Sequence, residues 1–281
     1  DGRFPKGPIA LVEVQGYAFA AYQAMSRFAT WRQDLDGAAR WAERAEHIRA
    51  TVEARFWMED QGGYGIAIDG AGELCRVHSS NPGHLLFCGL PTPERAAKVA
   101  ERLLSARFDS GWGVRTLAAG EARFNPMSYH NGSIWPHDTA ICAAGLSRYG
   151  QRDGVVDLMS GLFETASSFE MRLPELFCGF PRAAGEPPVA YPVACLPQAW
   201  AAGSVFMLLQ ACLGLKVDGW TGEVEIRDPR LPIGIDQLRV EGLRVGDQKL
   251  DLNFERLQGR IVVHADGGSV VPVTIRQGGR A

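Results

Sequence analysis

The stretch Arg172-Leu173-Pro174-Glu175-Leu176-Phe177-Cys178-Gly179-Phe180 sets one carboxylate among apolar side chains, directly after a helical pattern. Leu173, Leu176, Phe177 and Phe180 can desolvate Glu175, and Pro174 restricts the approach of the chain. Such a carboxylate suits proton transfer. It could equally cap the next segment or pair with Arg172 or Arg182, and these residues alone leave both readings open.

Other polar-aromatic loops recur, each beside a helix too apolar to face water. They are Glu13-Val14-Gln15-Gly16-Tyr17, Ser80-Asn81-Pro82-Gly83-His84 and Gly111-Trp112-Gly113-Val114-Arg115. Tyr129-His130-Asn131-Gly132-Ser133-Ile134-Trp135-Pro136-His137-Asp138 and Gln198-Ala199-Trp200 complete the set. If inner helices run parallel around a centre, these loops converge on one mouth rich in carboxylates, amides, imidazoles and indoles. That mixture suits a neutral polyol: indoles stack on the C–H face of a sugar, and carboxylates and amides bind its hydroxyls. Cleaving a glycosidic bond then needs two carboxyl groups of divergent protonation state.

Asp138 begins an apolar helix, where an aspartate can cap, organise the pocket, bind a hydroxyl or transfer a proton. Glu13 has the same ambiguity. Trp112, Trp135 and Trp200 read either as core residues or as sugar platforms. His84, His130, His137 and Asp138 lack the HExxH or HxxEH spacing of a metal site, so no metal or organic cofactor is expected. Cys178 and Cys195 have no neighbouring histidine to act as a base.

The elements that must position these groups follow from periodicity. A helix is expected from about Ile9, and Trp41, Ala45, Ile48, Val52 and Phe56 form the stripe of a surface helix. Tyr64, Ile66 and Ile68 alternate as a short strand ending at Asp69-Gly70. Amphipathic helices are expected over 94–107 and 154–169, and nearly all-apolar ones over 137–149 and 198–213. Buried helices thus alternate with half-exposed ones, as concentric helical layers require; the βα alternation of a doubly wound sheet is lacking. After Gly214 the period changes to two, from Val224 and Ile226 through Leu250, Leu252 and Phe254 to Val273 and Ile275, with turns at Gly246-Asp247 and Asp266-Gly267-Gly268. Residues 1–214 therefore read as a helical domain and 215–281 as a small antiparallel β appendage.

The balance of 29 Lys plus Arg against 32 Asp plus Glu, net −3, gives no electrostatic footprint for nucleic acid. No apolar run is long enough to span a membrane. Six scattered cysteines without a CxxC pair fit a reducing cytoplasm.

Taken in order, the stretches 7–17, 79–85, 125–133, 135–138, 173–177 and 197–201 resemble bacterial glycogen-debranching-enzyme-like proteins of the amylo-alpha-1,6-glucosidase, six-hairpin glycosidase group. The resemblance implies a mainly α (α/α)6 toroid that hydrolyses alpha-glucosidic bonds with inversion, with Glu175 as the general base. The substrate it implies is an alpha-linked gluco-oligosaccharide or small alpha-glucoside. In such relatives the general acid is an aspartate in a Gly-Trp-Lys-Asp-Ser-like segment upstream of the stretch matched by 7–17. This chain has no such segment, and about seven helices precede its β tail where six hairpins need twelve. The expectation is a partial toroid that needs an upstream part of the same parent. A carbohydrate-binding protein without hydrolysis, or a histidine-based sugar epimerase or isomerase on a related toroid, are the alternatives.

Overall fold

In the computed structural model, which describes residues 2–266 and 270–277, a short strand β1 (Ala10–Leu11) runs straight into helix α1 (Val12–Trp31). The helix starts later than its apolar pattern suggests because Ala10 and Leu11 pair with Ile68 and Ala67, and the Val12 N–H donates to the Ile66 carbonyl at 3.0 Å. Helix α2 (Leu35–Arg55) follows, capped by the Asp34 carboxylate, which accepts the Gly37 N–H at 2.8 Å. The alternating segment after it is split rather than one strand. β2 (Trp57–Met58) pairs with β3 (Gly63–Tyr64), while β4 (Ala67–Ile68) lies between β1 and β5 (Leu74–Cys75). Gly65 makes the break, since a side chain there would press on Leu74.

Five helices complete the helical part: α3 (Asn81–Cys88), α4 (Pro93–Leu103), α5 (Pro136–Arg148), α6 (Arg152–Ser167) and α7 (Ala199–Leu213). Helices α1, α3, α5 and α7 pack as successive neighbours in an inner row, and α2, α4 and α6 lie behind α1, α3 and α5. Seven helices among the described residues thus form a two-layer arc of hairpins. Their shared core holds Phe19, Leu85, Leu86 and Leu146, all fully buried, each contributing about 1.5–3 kcal/mol. Glycines let the inner row close up: a Cβ on Gly83 would overlap the Cys142 sulfur, and one on Gly145 would lie 2.7 Å from the Gly83 carbonyl oxygen.

Helices α1 and α7 are less enclosed than their apolar sequences suggest. Each ends the inner row and has one inner neighbour. Val14, Met25 and Trp31 of α1, and Trp200 and Phe206 of α7, are exposed. None of the helices is long and apolar enough to cross a membrane among the described residues.

Gly214, at φ 60°, ends α7. Leu213 already belongs to a second core with Ile226, Leu252 and Phe254. Strands β8 (Gln237–Val245), β9 (Gln248–Leu257) and β10 (Arg260–Asp266) form an antiparallel sheet, and β6 (Leu215–Asp218), β7 (Glu223–Arg227) and β11 (Val273–Arg276) a second one. The appendage is not wholly antiparallel: β11 pairs with β7 in parallel, Val273 opposite Val224 and Arg276 opposite Arg227. Alternation of period two cannot distinguish the two pairings. The turn expected at Asp266-Gly267-Gly268 reaches outside the described residues.

Candidate active site

The N-terminal ends of the inner helices meet. Tyr17 in α1 contacts His84 in α3, His84 contacts Asp138 in α5, and His137 beside it stacks on Trp200 in α7. All four inner helices therefore present their N-terminal ends at one mouth, where their dipoles favour anionic groups.

Glu175 sits on this side, on the loop after α6, and is 8% exposed. The Tyr129 hydroxyl donates to its Oε1 at 2.8 Å, and the Cys195 N–H donates to its Oε2 at 3.2 Å. The Glu175 N–H in turn donates to the Cys195 carbonyl at 2.9 Å, which ties the 191–195 loop to the carboxylate. The Tyr129 and Cys195 hydrogen bonds hold the carboxyl below its ordinary range against the opposing effect of burial, and Gln198 acts in the same direction. Glu175 is thus an ionised carboxylate with fixed oxygens.

Aromatic rings surround the Tyr129 side chain that holds this carboxylate. The Tyr129 ring meets His130 at 4.6 Å, Trp135 at 4.9 Å and Tyr191 at 5.5 Å, all edge to face. The Trp135 indole N–H is shared between Ser133 Oγ at 3.0 Å and the Tyr129 carbonyl at 3.2 Å, which fixes its plane. His137 lies parallel to Trp200 at 4.0 Å. Burial pulls the His137 pKa down, while Asp138 and Glu175 both act to raise it, so its ring senses both carboxylates.

The second acidic centre is Asp138, 7% exposed in the first turn of α5. His84 Nε2 lies 2.6 Å from its Oδ1. Burial alone would raise the Asp138 pKa; the hydrogen bond and charge of His84, with help from Ser80, outweigh it and bring the pKa below normal. Asp138 is therefore held as a carboxylate and is a poor proton donor. His84, Asp138 and Cys142 offer ligand atoms within 4.8 Å of one another, but both imidazole nitrogens are engaged and burial keeps the Cys142 thiol protonated. This donor set does not fit a metal ion; it is a hydrogen-bond chain.

Of the residues expected at the mouth, Tyr17, His84, Tyr129, His130, Trp135, Asp138, Glu175, Gln198 and Trp200 come together. Glu13 joins them with its Oε2 buried and unbonded, and its charge acts on both Tyr17 and His84. Asn81 opens α3 beside His84, and Asn131 lies in the Tyr129 loop. Gln15 is turned back on its own helix, donating to the Leu11 carbonyl at 3.2 Å. Two residues are not available as sugar contacts. The backbone of Trp112 lies against Gly161 of α6 and the Arg182 guanidinium sits 4.7 Å over its ring, which occupies it away from the mouth. Arg115 is 3% exposed and donates to the Gly179 and Ala106 carbonyls at 2.7 and 3.0 Å. Both pin the loops instead of lining the mouth.

Tyr191 and the backbone N–H of Cys195 were absent from the residues singled out by sequence. Their roles arise from a loop that folds back, which no local spacing records. A groove of 590 Å³ between α6 and α7 is lined by Met159, Leu162, Phe163 and Phe206 and offers hydroxyls few partners.

Against known proteins, the model of the family described as mannosylglycerate hydrolase MGH1-like glycoside hydrolase domain matches residues 5–175, a span that includes Glu13, His84, Asp138 and Glu175. No curated protein matches the chain. Among solved structures, a sialidase superposes with a TM-score of 0.76 at 15% identity, over 95% of this chain and 26% of its own. The GH63 mannosylglycerate hydrolase from Thermus thermophilus in complex with glucose gives 0.54 at 21%, over 71% and 47%. Neutral trehalase from Saccharomyces cerevisiae gives 0.58 at 15%, over 72% and 38%. The chain spans less than half the length of each of these proteins, and at such identities the likeness is one of fold.

Proposed function

The chain belongs to the mannosylglycerate hydrolase MGH1-like glycoside hydrolase domain family, and on that premise we propose that it carries the water-activating half of an inverting glycosidase. The observation that carries this reading is Glu175, ionised and held on both oxygens, with the Trp135 ring edge-on to the Tyr129 side chain that bonds it and its charge felt by His137. A general base must be unprotonated and fixed relative to the attacked carbon, with an apolar wall to seat the sugar ring.

In this reading water is deprotonated by Glu175 as it attacks the anomeric carbon. A carboxylic acid on the opposite face, about 6.5–9.5 Å away, protonates the departing oxygen. Asp138 does not suit that role, because His84 Nε2 lies 2.6 Å from its Oδ1 and holds it as the charged partner of a hydrogen-bond pair. We place the acid in a part of the parent beyond these 281 residues, which also completes the toroid against the open faces of α1 and α7. Trp135 and Trp200 seat the ring, and His130, Asn131 and Gln198 take its hydroxyls. The substrate is a small alpha-glycoside, with alpha-glucosides and, from the family's description, mannosylglycerate as the compounds to try. The finer kinship with amylo-alpha-1,6-glucosidases rests on the sequence motifs alone.

The test is hydrolysis of that panel by the full-length parent, followed by anomeric NMR. Inversion gives beta product first from an alpha substrate; alpha product first rejects it. Binding without turnover by the full-length protein would favour a carbohydrate-binding role.

A further inference from the structure

The hydrogen-bond chain Tyr17–His84–Asp138 has no part in the cleavage step. Asp138 presents an ionised oxygen 2.6 Å from His84 Nε2, and only an N–H on that nitrogen satisfies it. A neutral His84 must therefore carry its proton on Nε2 and leave Nδ1 as a lone pair. Nδ1 meets the Tyr17 hydroxyl, which is attached to a partly exposed ring at the mouth. The phenol thus has two ways to bond. It donates O–H to a neutral ring, or it accepts N–H from a doubly protonated one.

We propose that the Asp138–His84 pair sets the hydrogen-bond polarity that Tyr17 shows to a bound sugar. With His84 neutral, Tyr17 offers ligand only lone pairs and must meet a hydroxyl that donates. With His84 doubly protonated, the Tyr17 O–H is released and meets an oxygen that accepts. His84 and Asp138 are positioning residues, acting through Tyr17, and Tyr17 becomes a specificity residue. The inference rests on the carbohydrate reading for its ligand but not for its internal geometry.

The groups facing His84 support two accessible states. Glu13 and Tyr17 lie on α1, Cys88 one turn along on α3, and His137, Asp138 and Cys142 on α5. Burial pulls the His84 pKa down, but the Asp138 hydrogen bond and charge, with Glu13 behind them, bring it above 6.5. Burial, then the neighbouring Cys88, Glu13, Asp138 and Cys142, push Tyr17 up to about 12, so it stays a phenol throughout.

Two measurements test this, an NMR titration of the 281-residue protein and ligand binding by the full-length parent. Long-range ¹H–¹⁵N NMR is expected to show neutral His84 as the Nε2–H tautomer. Tyr17→Phe should change the Nδ1 shift of the neutral ring, and Asp138→Asn should populate the Nδ1–H form. The second measurement compares binding of methyl alpha-glucopyranoside with its monodeoxyfluoro analogues, which accept but cannot donate. At one ring position the affinity ratio should change by about tenfold as His84 titrates, the worth of one hydrogen bond. Tyr17→Phe should abolish that change. An Nδ1–H neutral tautomer, a pH-independent ratio in the unaltered protein, or a change that survives Tyr17→Phe would each overturn the proposal. If no sugar of the series binds, the alpha-glucoside reading fails by itself. The NMR then decides the polarity, and an Nδ1 shift unmoved by Tyr17→Phe refutes it even if Asp138→Asn does not fold.

Discussion

The Tyr129 phenol donates to Glu175 Oε1 at 2.8 Å while its ring stands edge-on to Trp135 at 4.9 Å. One side chain thereby fixes the carboxylate and joins it to the aromatic wall. The partners are 46 residues apart in sequence, on loops that bridge directly, since the Ile134 and Phe177 backbones exchange hydrogen bonds at 2.9 and 3.0 Å. The placement of Glu175 is therefore a property of two loops, and changes in either should reach it.

Glu175→Gln in the full-length parent should lower kcat by about 10²–10⁴, the usual contribution of a positioned general base. The amide keeps the shape, so sugar affinity should change little. Initial rates and ligand titration separate the two effects; loss of binding with kcat intact would remove Glu175 from the chemistry.

Tyr129→Phe removes the largest of the interactions that lower the Glu175 pKa. The carboxyl should then protonate at higher pH, and the acid limb of the kcat/KM profile should move up. The comparison is a pH–rate profile of the two proteins. An unmoved limb would mean that another group controls it.

Much of this arrangement was legible in sequence, because polar-aromatic loops beside apolar helices are conspicuous. Glu175, Tyr129 and Asp138 each stood out on that ground. The same rule overreached at Trp112 and Arg115. A tryptophan between glycines resembles a mouth loop, yet Gly161 of α6 lets the backbone around Trp112 lie against the helix, and Arg115 spends its fork on two carbonyls. Sequence also left out what backbone closure creates, including the Cys195 N–H on Glu175 and the parallel β7–β11 pair.

The Asp138–His84 pair gives stability a definite pH dependence. The Asp138 pKa is lowered from 3.8, so its contribution is present above that value and is lost as pH falls through the folded pKa. The His84 pKa is raised from 6.5, so its contribution is full below that value and is lost as pH rises through the folded pKa. The difference in thermal midpoint between the native protein and Asp138→Asn should therefore be widest between 3.8 and 6.5 and narrow on both sides. A difference independent of pH would show that the pair contributes through packing alone.

Gly145→Ala tests how the inner row is built. In an ordinary helix interior this change would stabilise by roughly 0.5–1 kcal/mol. Here the new methyl would meet the Gly83 carbonyl oxygen and the Phe87 nitrogen at 2.7 Å, both backbone atoms of α3 that cannot turn aside. Forcing α3 and α5 apart costs about 1–3 kcal/mol in a packed core, so steric cost should exceed the propensity gain and the protein should be net destabilised. Because Asp138 lies on α5 and His84 on α3, the same displacement should stretch their 2.6 Å contact. Urea unfolding should show a lower midpoint at unchanged slope, and the His84 titration should move toward 6.5 or below. A stabilised variant with an unmoved His84 would contradict the close approach of α3 and α5.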